Sequence, residues 1–394
     1  MTQPHRELVV GRQSAGFIRR GHPWLRRDRF TRGLESLSSG EAVTLVDEQG
    51  RGLASALIDR DHESICARVY HRLPGKSFEP LSALQRAWQR RADLRADGQT
   101  TCYRLLHGEG DFLPGLRMDI LGDWLLVYLR SQVLAARVDA LAAQAADLAG
   151  ISPERAVIRS HLEDERRAPS QARLLDGSAI DDSLRDQAQE LGVPLWIEPC
   201  SRLACGIYVD QRATRQWLIP HCQQARVLNL FAYSGLFSTC LLQHGAELAL
   251  SVDAAGPALE MAQANAKLAG VADRHRCVRS DARSFCAADQ DRYDIIICDP
   301  PTAAHGSGNK VSQGWVAQRD YPLLLEQLRP RLNPGGMLIA VINTLGRPYD
   351  LRRAVESAGF HALPANQGPS LGEDLPQIAG FPEGRPYHLV VAKL

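Results

Sequence analysis

From about residue 190 the chain repeats one unit, an apolar strand followed by a helix. "RVLNLFAYSGLFSTCLLQHG" runs as a strand from Val227 to Phe231, turns at Gly235 and continues into a helix closed by Gly245. "ALSVDAA" is a second strand ending at Asp253, and "RCVRSDARSF" a third with Ser280 and Asp281 at its end. A fourth, in "DIIICDPPTAAHG", stops at Asp299, where Pro300 and Pro301 cannot continue a central ladder. After the helix "YPLLLEQLRPRL", a fifth strand follows in "NPGGMLIAVIN". Parallel strands need crossovers, so this alternation predicts a mostly parallel sheet with helices on both faces.

Polar residues at four successive strand ends carry the chemistry, because open α/β sheets bind ligands outside the carboxyl edge. Asp253, at the tip of the second strand, is placed to accept both hydroxyl hydrogens of a ribose. Asp281 is placed to accept from an adenine amine, beside Ser280. The turn before the first helix lacks GxGxxG and so has no cradle for a pyrophosphate, which favours a nucleoside without phosphates over NAD or FAD. Together these residues imply S-adenosylmethionine. The stiff Asp299-Pro300-Pro301 loop then lies where a planar base meets the methyl group. Each residue also has a structural alternative: Gly235 as a turn residue, Asp253 as a helix cap, Asp299 as the partner of an arginine.

The other regions differ in pattern. Residues 7 to about 72 hold short β runs, "ELVV", "EAVTLVD", "GLASALID" and "SICARVY", which predict a small all-β module. Between Arg12 and Arg32 stand seven arginines, including Arg19, Arg20, Arg26 and Arg27, against the single Asp28, interleaved with Phe17, His22, Trp24 and Phe30. Arginine beside exposed aromatic rings is a footprint for RNA, and Arg19, Arg20, Trp24, Arg26 and Arg27 are its expected contacts. The competing reading is a solvated helix with Trp24 anchored in the core. "LPGKSFEP" reads as a linker. A helical stretch over 81–96, three strands in "TCYRLLHGEGDFLPGLRMDILGDWLLVYL", a helix closed by Gly150 and a strand in "RAVIRS" then make the middle region α+β. The expected domains are 1–75, 76–190 and 191–394.

The 394 residues carry a net charge of +1, which excludes a strongly basic or acidic protein as a whole. No apolar leader or membrane-length run stands out, so a cytoplasmic location is expected. The nine cysteines form no CxxC pair and join no histidine cluster, so they read as buried thiols, with no metal expected.

The segments "RRGHPWL", "YRLLHGEGDFLPGLRMD", "GIYVDQRATR", "LNLFAYSGLFS", "VDAAGPALEMAQANAKLAG", "DPPT" and "FPEG" resemble the large-subunit ribosomal RNA cytosine-C5 methyltransferases over nearly the whole chain. That resemblance implies three domains: a PUA-like, β-rich N-terminal domain, an α+β middle domain and a C-terminal Rossmann-like class I methyltransferase. It implies that Gln211 and Arg212 enclose the cofactor, that Phe231, Tyr233, Ser234 and Gly235 wall its methionine part, and that Asp299 forms the catalytic edge with Pro300. The partner it implies is ribosomal RNA; a homodimer is a separate expectation that neither the resemblance nor any motif supplies.

One position departs from the pattern. Methylating C5 of a pyrimidine requires a thiolate that adds to C6. In the resembled family that cysteine follows the fifth strand, where this chain has Asn343 in "AVINTLG". The other position used by related enzymes, after the Asp-Pro pair, holds Pro301 and Thr302. Cys298 should point to the opposite side of its strand from Asp299. "DPPT", "QRD" and the asparagine after the fifth strand also resemble the guanine-N7 methyltransferase domain of ribosomal RNA enzymes, whose target nitrogen needs no covalent adduct. The expected function is therefore methylation of a ribosomal RNA base, with Asp299 orienting the base and Asn343 hydrogen-bonded to it. The rivals are a cofactor- and RNA-binding protein without catalysis, and a methyltransferase for small molecules or protein. The "TAAHGSGNKVSQG" loop is expected to be a lid.

Overall fold

The computed structural model describes residues 6–160, 171–201, 204–301, 303–304, 314–343 and 349–394. Two compact units emerge: Met1–Leu184 with Glu198–Leu203 and Gly372–Arg385, and Arg185–Ile197 with Ala204–Leu371 and Pro386–Leu394.

In the first unit the N-terminal β runs pair as a five-stranded sheet, in spatial order Arg6–Val9, Ala42–Val46, Gly52–Ile58, Ile65–His71 and Trp24–Arg26. Its first pair is parallel and the rest are antiparallel. Leu8, Val43, Leu45, Ala56 and Ile58 are fully buried beneath it. The arginine-rich stretch divides into a helix, Arg12–Arg19, and the edge strand Trp24–Arg26. A second sheet, in order Gln171–Leu174, Ala156–Ser160, Trp124–Leu129, Leu116–Leu121 and Cys102–His107, shares a core with the helices Pro80–Arg90 and Val138–Ala149. Gly150, at φ +66°, ends the latter helix in the left-handed conformation that glycine adopts without cost. The fully buried Arg91 holds the returning C-terminal segment to this unit. Its guanidinium donates to both Asp111 oxygens and to the Asp374 carbonyl, each at 2.7 Å. Truncating either charge would strand its partner in the core, a loss of about 3–5 kcal/mol.

The second unit does not open with the expected strand and helix. Asp186–Glu190 and Val193–Ile197 form an antiparallel hairpin, and its two turn residues, Leu191 and Gly192, both have positive φ, the twist that closes a two-residue hairpin. The seven-stranded sheet follows. Its strands are β1 (Arg226–Leu230), β2 (Leu248–Asp253), β3 (His275–Arg279), β4 (Tyr293–Cys298), β5 (Leu332–Ile342), β6 (His361–Ala362) and β7 (His388–Lys393), in spatial order β3-β2-β1-β4-β5-β7-β6. β3 through β5 are parallel, whereas β7 runs antiparallel between β5 and β6. The order reverses between β1 and β4, the kind of crevice where α/β sheets bind ligands. Helices α1 (Arg212–Leu218), α2 (Leu236–Gln243), α3 (Gly256–Leu268), α4 (Ala282–Ala288), α5 (Ala317–Leu328) and α6 (Leu351–Ser357) accompany the sheet. Leu230, Val252, Cys298 and Ala340 are register partners across β1, β2, β4 and β5 and share one buried cluster. Ile297 and Ile339, one residue earlier, belong to the core of the opposite face.

Candidate active site at the carboxyl edge of the sheet

A cavity of about 560 Å³ opens where β1, β2, β3, β4 and β5 end. Of the residues singled out in the sequence, Gln211, Phe231, Tyr233, Asp253, Ser280, Asp281, Asp299, Pro300 and Asn343 line it. Arg212, Ser234 and Gly235 do not. Arg212 is buried at the start of α1. The Ser234 carbonyl accepts from Asn265 Nδ2 at 2.9 Å, and its side chain is buried. Gly235 serves helix packing: at φ +70° a Cβ there would stand 2.7 Å from the Ala262 Cβ of α3.

The loop after β1 is held in an unusual shape. Phe231 and Tyr233, at φ +56° and +47°, alternate with ordinary residues and lead to Gly235. A non-glycine residue in that region costs about 1–3 kcal/mol, which the surroundings must offset. They do so through hydrogen bonds: Ala232 N–H donates to the Val252 carbonyl, Tyr233 N–H to Asp253 Oδ2 at 2.9 Å, and Gly206 N–H to the Tyr233 hydroxyl at 2.8 Å. The Phe231 ring meets Trp315 edge-on at 5.0 Å. Below the loop the buried polar atoms form a chain: Asn229 Nδ2 donates to Ser238 Oγ, which bonds Ser251 Oγ, which in turn bonds His275 Nε2 at 2.8 Å. Burial pushes the His275 imidazole down to about 4, so it stays neutral and the chain is satisfied without a charge.

The three strand-end carboxylates stand in different surroundings. Asp253 accepts the backbone N–H groups of Tyr233 and Ala255, tying two strand-end loops together. Asp281 caps α4 and also binds the Arg283 guanidinium at 3.2 Å, so part of its accepting capacity is structural. Among the described residues Asp299 accepts one side-chain hydrogen bond, from Gln211 Nε2 at 3.3 Å. Desolvation, with the neighbouring Asp210 charge, pushes its carboxyl up to about 7 against the opposing pull of Arg215 and Gln211. The other end of that amide, Gln211 Oε1, is buried and accepts from no donor among the described residues.

No cysteine lines the cavity among the described residues. Cys298 is fully buried among Leu228, Ile296 and Leu338, and desolvation raises its thiol far above the reactive range. The Tyr321 hydroxyl lies 2.9 Å from the Cys298 carbonyl and 3.0 Å from that of Val341, and accepts from Val341 N–H, linking β4 and β5 beneath the Asp299 loop. Asn343 stands exposed at the end of β5. The expected lid, 302–314, lies outside the described residues except for 303, 304 and 314. Tyr208, Asp210, Trp315 and Tyr387 were missed as cavity residues. Tyr208 and Asp210 flank Gln211 in "GIYVDQR", so that motif held the signal. Tyr387, beyond the first unit's C-terminal segment, left none.

In the first unit the aromatic part of the predicted footprint needs correction. Trp24 is not an exposed platform: its Nε1–H donates to Glu109 at 2.7 Å and its ring packs edge-on against Phe381 at 4.7 Å. His22 is buried beside it. Arg19 is ion-paired with Asp47, and Arg26 with Glu383 at 2.9 Å. Arg27 donates to the carbonyls of His62 and Arg60. Arg20 instead lies over the Phe17 ring, 4.7 Å from its centre.

Comparison with known proteins accords with this geometry. Residues 8–72 match the PUA-like domain family. A ribosomal RNA large subunit methyltransferase I from Cronobacter sakazakii is 28% identical over 399 residues, covering 96% of both chains. The enzyme of the same name from Erwinia tasmaniensis is 30% identical over 342 residues, covering 84% of this chain and 83% of its own. Among solved structures, a methyltransferase complexed with SAH superposes with a TM-score of 0.79 at 21% identity over 99% of this chain and all of its own. A SAM-dependent methyltransferase from Streptococcus mutans gives 0.77 at 20% identity, with the same coverage. None of these relatives' names states an assembly, so the expected homodimer gains no support from them. Residues 103–380, more than half of the chain, match the family of S-adenosylmethionine-dependent methyltransferases, and to that family the chain belongs.

Proposed function

We propose that this enzyme methylates a base of large-subunit ribosomal RNA in the cytoplasm, at a ring nitrogen that already carries a lone pair and without a covalent bond to the base. One observation carries the choice of atom: the cavity wall has no thiol among the described residues, and Asn343 occupies the place of the expected nucleophile. RNA as the substrate is supported by the curated relatives and by the PUA-like match.

The wall fits S-adenosylmethionine because it is rich in acceptors. Asp253, Asp281, Tyr233 and Phe231 all line the cavity; there Asp253 would hold the ribose hydroxyls and the free capacity of Asp281 the adenine amine, while Tyr233 and Phe231 would enclose the apolar portion. The buried Gln211 Oε1 has no donor among the described residues, and an ammonium group would supply one. When bound, the cofactor supplies a methyl group made electrophilic by a sulfonium. Asp299 and Asn343 then hold the base edge, and Pro300 and Pro301 fix the loop on which the base lies. The Asp299 carboxylate also favours the positive charge that grows on a ring nitrogen as it is alkylated.

The test is transfer of labelled methyl to ribosomal RNA from a strain lacking the gene, with nucleosides identified by mass spectrometry. Methylguanosine is the expected product. Finding 5-methylcytidine would overturn the choice of atom, and RNA binding without incorporation would favour the non-catalytic rival.

A further inference from the structure

A second cleft, of about 610 Å³, lies in the N-terminal module between the helix Arg12–Arg19 and the loop that follows Asp28. Its walls include Phe17 and Phe30, which are 44% and 53% exposed and are the only exposed phenylalanines among the described residues. Leaving two large rings in water forfeits the burial that would stabilise them, and such patches commonly mark a contact site. The cleft is built for them. Asp28 accepts from Ser14 Oγ at 2.5 Å, from the Phe30 and Thr31 N–H groups at 2.8 Å and from Thr31 Oγ1 at 3.1 Å, which fixes the loop carrying Phe30. Gly11 lets that loop approach the helix, because a Cβ there would stand 2.7 Å from the Phe30 Cβ.

The charge distribution selects the occupant. Arg19, Arg26 and Arg27 are engaged elsewhere, as described above. Arg12 and Arg20 line the cleft and form no ion pair among the described residues. The Arg20 guanidinium lies 4.7 Å from the centre of the Phe17 ring and that of Arg29 lies 4.9 Å from the centre of Phe30. Arg12, Arg20 and Arg29 therefore lie together with the two exposed rings. Glu48 is a further carboxylate at the cleft, which opposes phosphate but accepts from a base amine.

We infer that this cleft takes an unstacked base of single-stranded RNA, with the base stacked on Phe17 or Phe30 and the flanking phosphates on Arg12, Arg20 and Arg29. The inference rests on the proposal that RNA is the substrate, and it moves the stacking role from Trp24 to the two phenylalanines.

The test uses the full chain and a fluorescent single-stranded RNA of mixed sequence, with binding followed by anisotropy across a salt series. Phe17→Ala with Phe30→Ala is expected to weaken binding about tenfold or more without changing the salt slope. Phe17→Tyr with Phe30→Tyr keeps both rings and is expected to bind like the parent. Arg12→Gln with Arg20→Gln is expected to lower the slope by about one to one and a half. An alanine pair that binds RNA like the parent, with an unchanged melting temperature, overturns the inference while leaving RNA as the substrate. A parent chain that binds no RNA overturns both. An alanine pair that loses only self-association in sedimentation assigns the cleft to a second copy of the chain and so overturns it as well.

Discussion

The strand-end cavity and the arginine-rich N-terminal stretch were both marked in the sequence by residue type, yet the structure treats the two sets of side chains differently. Asp253, Asp281, Asp299 and Asn343 all line one cavity although some ninety residues separate the first from the last. Of the five residues expected to contact RNA, Trp24 is an anchor, and Arg19, Arg26 and Arg27 each have a protein partner. Topology explains the contrast. A parallel sheet brings the carboxyl end of every strand to one edge, so position in the repeat dictates position in space. Nothing comparable fixes an arginine on a small module, because its partner is chosen by long-range folding: Asp47 for Arg19, Glu383 for Arg26.

If the cavity is the chemical centre, Asp299→Ala should cause the largest loss, on the order of a hundredfold in kcat/KM for methyl transfer, with the fold retained. Full activity on the true substrate would remove Asp299 from the reaction. Its ionisation gives a second readout. Burial pushes the folded carboxyl up to about 7, above its value in the unfolded chain, so the folded state holds the extra proton between those values and loses stability as pH rises through them. Asp299→Asn should therefore stabilise the cofactor-free protein more at pH 8 than at pH 5, as read by urea unfolding. An equal effect at both values would mean that the carboxylate is solvated.

Asp253→Ala comes next, with an expected loss of about tenfold or more in cofactor affinity by calorimetry, the scale of hydrogen bonds to a charged acceptor. Unchanged affinity would break the ribose assignment and leave Asp253 as the tie between the Tyr233 and Ala255 backbones.

The same contrast marks how far the sequence could be read. Strands β1, β4 and β5 were visible because a strand buried on both faces is a near-continuous apolar run closed by a turn signal, as in Ile295 to Cys298 before Asp299-Pro300. The hairpin at Asp186–Ile197 was hidden because its turn uses Leu191 in the left-handed region, a residue that carries no turn signal. Gly235 was correctly placed at a turn, but its role as a spacer against Ala262 needed the packing of α2 on α3. The strand end carrying Asn343 was legible, as was the absence of a cysteine there. That Gln211 would have one amide end on Asp299 and the other without a donor among the described residues was not, since nothing local distinguishes a lining glutamine from a surface one.

In the N-terminal module the sharper test is Trp24→Phe. It removes the indole donor from Glu109 while keeping an aromatic ring against Phe381, so a loss of about 1–2 kcal/mol in stability is expected, with RNA affinity unchanged. Weaker RNA binding at unchanged stability would restore Trp24 as a stacking residue and erase the contrast with the cavity.

The smallest effect is expected at Arg26. Its side chain is 59% exposed and its ion pair with Glu383 is a surface pair, worth about 0–1 kcal/mol, so Arg26→Gln should barely move the melting temperature. Its charge is already partly neutralised by that pair, so the substitution should also lower the salt slope of RNA binding less than Arg20→Gln does, since Arg20 faces a ring rather than a carboxylate. Equal slopes for the two variants would show that Arg26 leaves Glu383 to meet a phosphate. Protein partners in the free chain would then be no guide to which arginines bind, and the N-terminal stretch would be as legible from its sequence as the strand ends are.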